Sequence, residues 1–498
     1  MVISMGFIWN FPLFCIVLCL FSGVLCSVLP KKWAKAVSYT LVILVMCMSA
    51  GVLWYTCTME ESFVYMMGHY PAPWGNEVRA GVLEGIMALF FSVIMILSLL
   101  AGEKALAKDV EESRQNLYYS LVNLLLSSLL ALVYTNDMFT AYVFVEINTI
   151  AACGLTAIRG NGRSLVASAK YMMMSLLGSG LLLIGITLLY DVTGHLLMSN
   201  IHQAVAECMA SGTYSEPLMV IIALICVGLA IKSALFPFHS WLPDAYTYST
   251  PSSSAMMSSL VSKAYIFLLV KIFFRVIGWE VISSNRIVDI LFVFGLAGMI
   301  MGSVSAIFQK DVKKMVAYSS VAQIGYIYMG FGLGNLEGVM ASLFHILMHS
   351  AAKSMLFVSL AGLAEASGGH TTRKELRGSG FRNKAAGVAF TMGAFSMVGI
   401  PLFAGFISKI LFATAAVDNS VAKMTVTLVV LAVSTVLNAI YFFRAVICIY
   451  TPGRELPAKK TSLVFAAAMF GFAALNLFLG IFSDVVMDGI RLGMQMFA

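Results

Sequence analysis

His345, His349 and Lys353 stand four residues apart in LFHILMHSAAKSML, residues 343–356, a stretch that is otherwise almost wholly apolar. Four residues of α-helix overshoot a full turn by about 40°, so the three would form one polar stripe on an oily rod. Imidazoles and amines in such a row can take up, hold and release protons. Three more lysines, Lys232, Lys263 and Lys409, also lie in strongly apolar runs, and Glu146 joins them in YVFVEINTIAA. Whether these groups do chemistry or merely pack depends on what surrounds them.

Hydrophobic residues make up 60% of the 498 positions and charged residues 11%, against roughly a quarter charged in a soluble domain. The chain therefore reads as an all-α polytopic membrane protein, with about fourteen apolar runs, each near the roughly 20 residues that cross a bilayer. The fifth run covers 138–158, the seventh 217–238, the eighth 253–275, the eleventh 338–364 and the twelfth 385–415. No basic residue precedes the first run, whereas Lys31, Lys32 and Lys35 follow it. That is the wrong polarity for a cleaved signal peptide, so a retained helix is expected.

Of the 31 lysines and arginines, 21 fall after odd-numbered spans. Five fall near even-numbered loops: Arg79, Lys271, Arg275, Arg286 and Lys423. The positive-inside rule then makes the odd loops cytoplasmic and turns both termini outward. Nine scattered cysteines form no CxxC pair, which argues against zinc and iron–sulfur ligation. Neither a Walker loop nor a dinucleotide-binding GxGxxG is found, so no cofactor is expected in this chain. No basic cluster is interleaved with aromatics as nucleic-acid binding requires.

A lysine at mid-bilayer costs about 2.5–3.5 kcal/mol on insertion scales, so intramembrane ionisable groups default to ion pathways. Bland readings exist for each residue alone. Lys409 could snorkel to an interface, and a membrane histidine can simply bond a neighbouring helix. Zinc held by His345 and His349 would need glutamate directly after the first histidine, where Ile346 stands. Basic groups in the seventh, eighth, eleventh and twelfth spans, with an acid in the fifth, make a pathway the better account of the set.

Two of the lysines sit beside helix breakers. Lys232 precedes Pro237 in AIKSALFPFHSWLPDA, and Lys409 follows Gly399 and Pro401 in MVGIPLFAGFISKILF. Proline removes a donor and clashes with the preceding turn, so spans seven and twelve should be broken. A broken helix with a lysine in each half points to inverted repeats around a transport path. Spans 4–8 and 9–13 are grouped accordingly, giving segments 1–110, 111–278, 279–450 and 451–498.

The motifs KSALFPFHSWLPDA (232–245), SSLVSKAYIFLL (258–269), QKDVKKMVAYSSVAQIGY (309–326), FHILMHSAAKSMLF (344–357) and GIPLFAGFISK (399–409) form one ordered set. It resembles the antiporter-like subunits shared by respiratory complex I, membrane-bound hydrogenases and Mrp-type sodium/proton antiporters, over nearly the whole chain. GHYPAPWGNEVRAG (68–81) is most similar to D-type Mrp subunits and their hydrogenase relatives. The resemblance implies that Glu146 pairs with Lys232 and that Lys263 is the central amine. His345, His349 and Lys353 would continue the path and Lys409 would end it, a position that is glutamate in some subunits.

It further implies a non-redox subunit in the inner (plasma) membrane of a prokaryote, moving protons, alone or against sodium. Its partners would be further antiporter-like and small hydrophobic membrane subunits, with peripheral iron–sulfur subunits where redox chemistry supplies the drive. Burial disfavours a charged amine and a neighbouring carboxylate restores it, so a Glu146–Lys232 pair that couples and uncouples would be a switch. Half-channels are expected from the cytoplasm near Lys232 and to the outside near Lys409. The rivals are a solitary transporter of a small organic solute, which broken helices suit equally, and a passive scaffold.

Overall fold

A computed structural model describes residues 6–71, 74–453 and 461–497. Hydrocarbon offers backbone groups no partner, so the apolar runs satisfy themselves as helices. In chain order these are α1 (Phe11–Val28), α2 (Lys31–Met59), α3 (Val82–Asp109), α4 (Gln115–Tyr134), α5 (Met138–Ala157) and α6 (Gly162–Thr193). A short helix α7 (Met198–Ser211) precedes α8 (Ser215–Ser233) and α9 (Leu242–Tyr248). Helix α10 runs over 251–277 with two π-helical stretches, Met257–Val261 and Ile272–Ile277. The second half holds α11 (Arg286–Ile307), α12 (Val312–Gly332), α13 (Leu336–Glu365), α14 (Lys384–Val398), α15 (Ala404–Val417) and α16 (Val421–Tyr450). Helices α17 (Leu463–Ile481) and α18 (Ser483–Gln495) close the described chain.

Among the described residues, eleven helical stretches are long and apolar enough to cross a membrane. The other three expected spans are α10, α12 and the α14–α15 pair. The first two are almost wholly buried by other helices, α10 being rich in serine and α12 carrying Lys313, Lys314, Gln323 and three tyrosines, and the third is split into two short pieces. Position explains the difference. Helix α13 is 94% buried over its most apolar window whereas α16 and α17 are 33% buried, so α10, α12 and α13 form the interior and tolerate polar groups. The outer helices turn residues such as Val166, Met173 and Val436 outward.

One element departs from the all-helical expectation. Between α2 and α3, β1 (Phe63–Met66) pairs antiparallel with β2 (Glu77–Ala80), Phe63 opposite Ala80. Aromatic and β-branched residues favour strands, and the NEVRAG part of GHYPAPWGNEVRAG supplies the second one. A second departure concerns charge. Lys271 and Arg275, read from the sequence as lying near an even-numbered loop at the end of the eighth run, lie inside α10 and are 0% and 4% exposed.

Helices α11 and α12 approach closely through a row of small residues, Gly295, Gly298 and Gly302, facing Gly325. Small residues let membrane helices pack backbone against backbone. A Cβ on Gly325 would lie 2.6 Å from both the Gly295 carbonyl oxygen and the Met299 nitrogen, backbone atoms that cannot step aside. G325V should therefore cost at least about 3 kcal/mol, the upper range of overpacking. A lowered Tm in detergent, or failure to accumulate in the membrane, checks this.

Candidate ion-translocation site

The site begins where α5, α6, α8 and α10 meet. Lys232 occupies the last turn of α8, where the helix dipole favours a cation. Its ammonium donates to Thr149 Oγ1 at 2.8 Å and to Ser175 Oγ at 3.0 Å, lies 3.7 Å from Glu146 Oε1, and sits 5.5 Å from the centre of the Tyr265 ring. The Lys232 side chain is wholly buried, while that of Glu146 is 24% exposed at the side of the bundle. The carboxylate is thus the one member of this group open to an outside influence.

Directly after Lys232 the chain leaves helical geometry. Ala234 takes a left-handed conformation, φ 62°, the usual way for a helix to stop, and a single turn, Phe238–Trp241, leads into α9. The same design recurs in the second half: α14 stops at Gly399, φ 89°, and α15 starts at Ala404. Pro237 and Pro401 stand just past the two helix ends, both exposed at the surface of the chain. The Lys409 ammonium donates to the Val398 carbonyl at the end of α14 and to Thr435 Oγ1 at 2.9 Å. It therefore caps the negative pole of the broken helix.

Between these ends lie the other amines and imidazoles. Lys263, buried within α10, donates to the Ser258 carbonyl in the first π stretch, where the shifted backbone pairing leaves irregular carbonyls and where functional sites are common. The same stretch touches α13: Ser350 donates to the Ser259 carbonyl and Ser354 to Ser259 Oγ, each at 2.6 Å. Lys353 donates to the Val316 carbonyl at 2.7 Å and to Ser319 Oγ. The His345 and His349 rings lie 6.0 Å apart, and His345 Nδ1 is 2.6 Å from Ser408 Oγ, beside Lys409. Contacts thus join Glu146 to Lys232, α10 to α13 at Ser259, and His349 through His345 to Ser408 beside Lys409.

Both nitrogens of His349, His345 Nε2 and the side-chain amide of Gln323 are buried without a protein partner. Buried polar groups of this kind bind internal water. No group of three or more His, Cys, Asp or Glu among the described residues could hold a metal ion.

A second buried cluster was missed in the sequence. Arg275 Nη2 contacts Glu84 Oε1 at 2.7 Å, both side chains at most 3% exposed. Lys271 donates to the carbonyls of Leu132 at 3.3 Å, Val133 at 2.9 Å and also Thr135, capping the end of α4. The signal was present in VKIFFRVIG (270–278), where two cations four residues apart have apolar residues on both sides. Asp137, a further acid near a span end, serves as N-cap of α5, accepting from the Thr140 amide at 2.6 Å.

A polytopic helical bundle with amines and imidazoles strung through its interior defines an ion-translocating membrane protein. More particularly, the chain belongs to the NADH:quinone oxidoreductase/Mrp antiporter transmembrane family, whose profile matches residues 135–437. It is 33% identical over 427 residues to NADH-quinone oxidoreductase subunit N of Desulforudis audaxviator, covering 84% of this chain and 81% of that one. It is 27% identical over 356 residues to the D subunit of the Na(+)/H(+) antiporter of Alkalihalophilus pseudofirmus, covering 72% and 70%. A chain of the membrane-bound sulfane sulfur reductase, an archaeal respiratory membrane complex, superposes with a TM-score of 0.86 at 26% identity, covering 99% of this chain and 98% of that one. Identity to the quinone oxidoreductase relative exceeds that to the antiporter relative, so the hairpin motif alone does not fix the subtype.

Proposed function

We propose that this chain is a proton-translocating membrane subunit of a larger complex, with or without exchange of sodium. The carrying observation is the succession of ionisable groups through the bundle: Glu146 at its side, then Lys232, Lys263, Lys353, His349 and His345 buried, and Lys409 partly covered, with each lysine held by a hydroxyl or carbonyl acceptor. A group so held can keep a proton on a local acceptor and surrender it without large motion of the backbone. Internal water at His349, His345 and Gln323 bridges the wider gaps. The chain has no drive of its own, so its partners supply it: further antiporter-like and small hydrophobic membrane subunits, with iron–sulfur subunits where the drive is redox.

The arrangement fits a chain in the plasma membrane with both termini outside, fourteen spans, and two inverted units at 111–278 and 279–450 flanked by 1–110 and 451–498. In support, the two helix breaks are alike, each placing a lysine at the negative end of an interrupted helix. Correcting Lys271 and Arg275 leaves three cations near even loops, which strengthens the charge asymmetry behind the orientation. A solitary solute carrier does not need amines in both halves.

Lys263 tests the reading because its ammonium donates to a carbonyl of its own helix rather than bracing a neighbouring one. K263M keeps the stem and removes the proton-binding atom. In inverted membrane vesicles carrying the whole complex, acidification driven by its natural energy source should fall by about a hundredfold, the scale of losing a proton-transfer group. Full acidification by an assembled K263M complex would sink the assignment.

A further inference from the structure

On the basic face of the bundle a cavity of about 540 Å³ opens between α3, α10, α12, α13 and α17. Lys104, Lys108, Arg159 and Lys313 are among its basic lining groups, Asp109, Asp311 and Glu365 are acidic ones, and Phe357 and Ala361 form part of its wall. The outer charges compensate one another: Lys104 and Lys108 meet Glu365 at 3.1 and 2.7 Å, and Arg159 meets Asp109 at 3.1 Å. Lys313 is different. It is 9% exposed, donates to the Ser249 carbonyl at 2.7 Å, and has no carboxylate at ion-pair distance among the described residues.

Two helices converge on the same point below this cavity. On α12, Lys313 is three residues before Val316, whose carbonyl accepts from the Lys353 ammonium at 2.7 Å. On α13, Phe357 is four residues after Lys353 and so stands over it on the same face, about one 5.4 Å turn nearer the cavity. Phe357 is 1% exposed and packs edge-on against Tyr246, ring centres 6.0 Å apart. Phe357, which lines the cavity and follows Lys353 by one turn, thus stands between the charged vestibule and a buried amine in the middle of the path. Apolar constrictions of this kind gate by excluding water.

We propose that this vestibule is an uptake port that delivers protons from the basic face to Lys353, and that Phe357 is its gate. With the ring displaced, a water file joins the cavity to Lys353. A proton from bulk hydronium passes along it and bonds to the lone pair of the neutral Lys353 Nζ, leaving water behind. The port enters the axis between Lys263 and the two histidines, independently of access beside Lys232. The inference rests on the functional reading above in one respect, that Lys353 belongs to the path.

The test uses the whole complex in sealed proteoliposomes, undriven, with an imposed pH gradient and a trapped pH-sensitive dye. F357A should raise passive proton leak several-fold over wild type, F357W should not, and K353L placed in the F357A background should abolish the increase. F357L, a milder loss of bulk, should raise leak in the same direction and carries the test if F357A does not assemble. Wild-type leak in both smaller variants would overturn the gate, and so would a leak that survives K353L. Neither result touches the proposed function, which fails only if driven acidification survives loss of the axis lysines.

Discussion

K232M should abolish driven proton movement while leaving the complex assembled, and K232R should be nearly as inactive. The first variant removes the atom that Thr149, Ser175 and Glu146 hold at 2.8, 3.0 and 3.7 Å. Loss of a proton carrier of this kind costs about a hundredfold or more in rate. The arginine variant separates charge from proton release, because guanidinium keeps its proton at every accessible pH. A purely structural cation would be served well by arginine, whereas a group that must alternate between two protonation states would not. E146Q should fall between wild type and K232M, since the amine keeps its two hydroxyl acceptors and loses the one partner able to change its charge balance. Dye-monitored acidification of inverted vesicles, with subunit content checked by native gel, distinguishes these outcomes. Undiminished pumping by an assembled K232R complex would refute the switch.

Glu146 also shows how far chemistry could be read before geometry. Its apolar surroundings mark it and the four lysines as out of place in lipid, and the structure puts Lys232, Lys263 and Lys353 deep in the interior, with Lys409 partly covered. Residue type and hydropathy carry that information because a bilayer penalises charge steeply. The break after Lys232 is legible from Pro237, yet the helix ends three residues earlier, at the left-handed Ala234, which no sequence rule for alanine suggests. The π stretch below Lys263 is not legible at all. SSLVSKAY is compatible with an ordinary helix, and the i→i+5 pairing accompanies the contacts of Ser259 with Ser350 and Ser354, tertiary contacts almost a hundred residues distant. Lys271 and Arg275 mislead for a different reason. Their place at the end of the eighth apolar run suggests an interface beside a loop, but α10 continues past both of them to Ile277 and other elements bury them.

That second cluster yields the largest expected effect on stability. R275M should destabilise the chain by about 3–5 kcal/mol, because it leaves the Glu84 carboxylate buried with its charge uncompensated. The loss is compounded at the C-terminal end, where Arg275 Nε donates to the Phe497 carbonyl at 3.2 Å and the guanidinium lies 4.0 Å from the Phe497 ring. Arg79, from the β2 strand, donates to the neighbouring Met496 carbonyl at 2.9 Å. Hairpin, α3, α10 and the chain's last residues are therefore fastened at one point. Removing both charges with E84L and R275M should recover most of the loss, since paired apolar replacements of a buried ion pair are often neutral. Tm in detergent for the two single variants and the double measures the coupling directly. An arginine cannot give up its proton at accessible pH, so the recovered double variant should also pump normally. Loss of pumping in a stable E84L/R275M protein would instead place this cluster on the ion path.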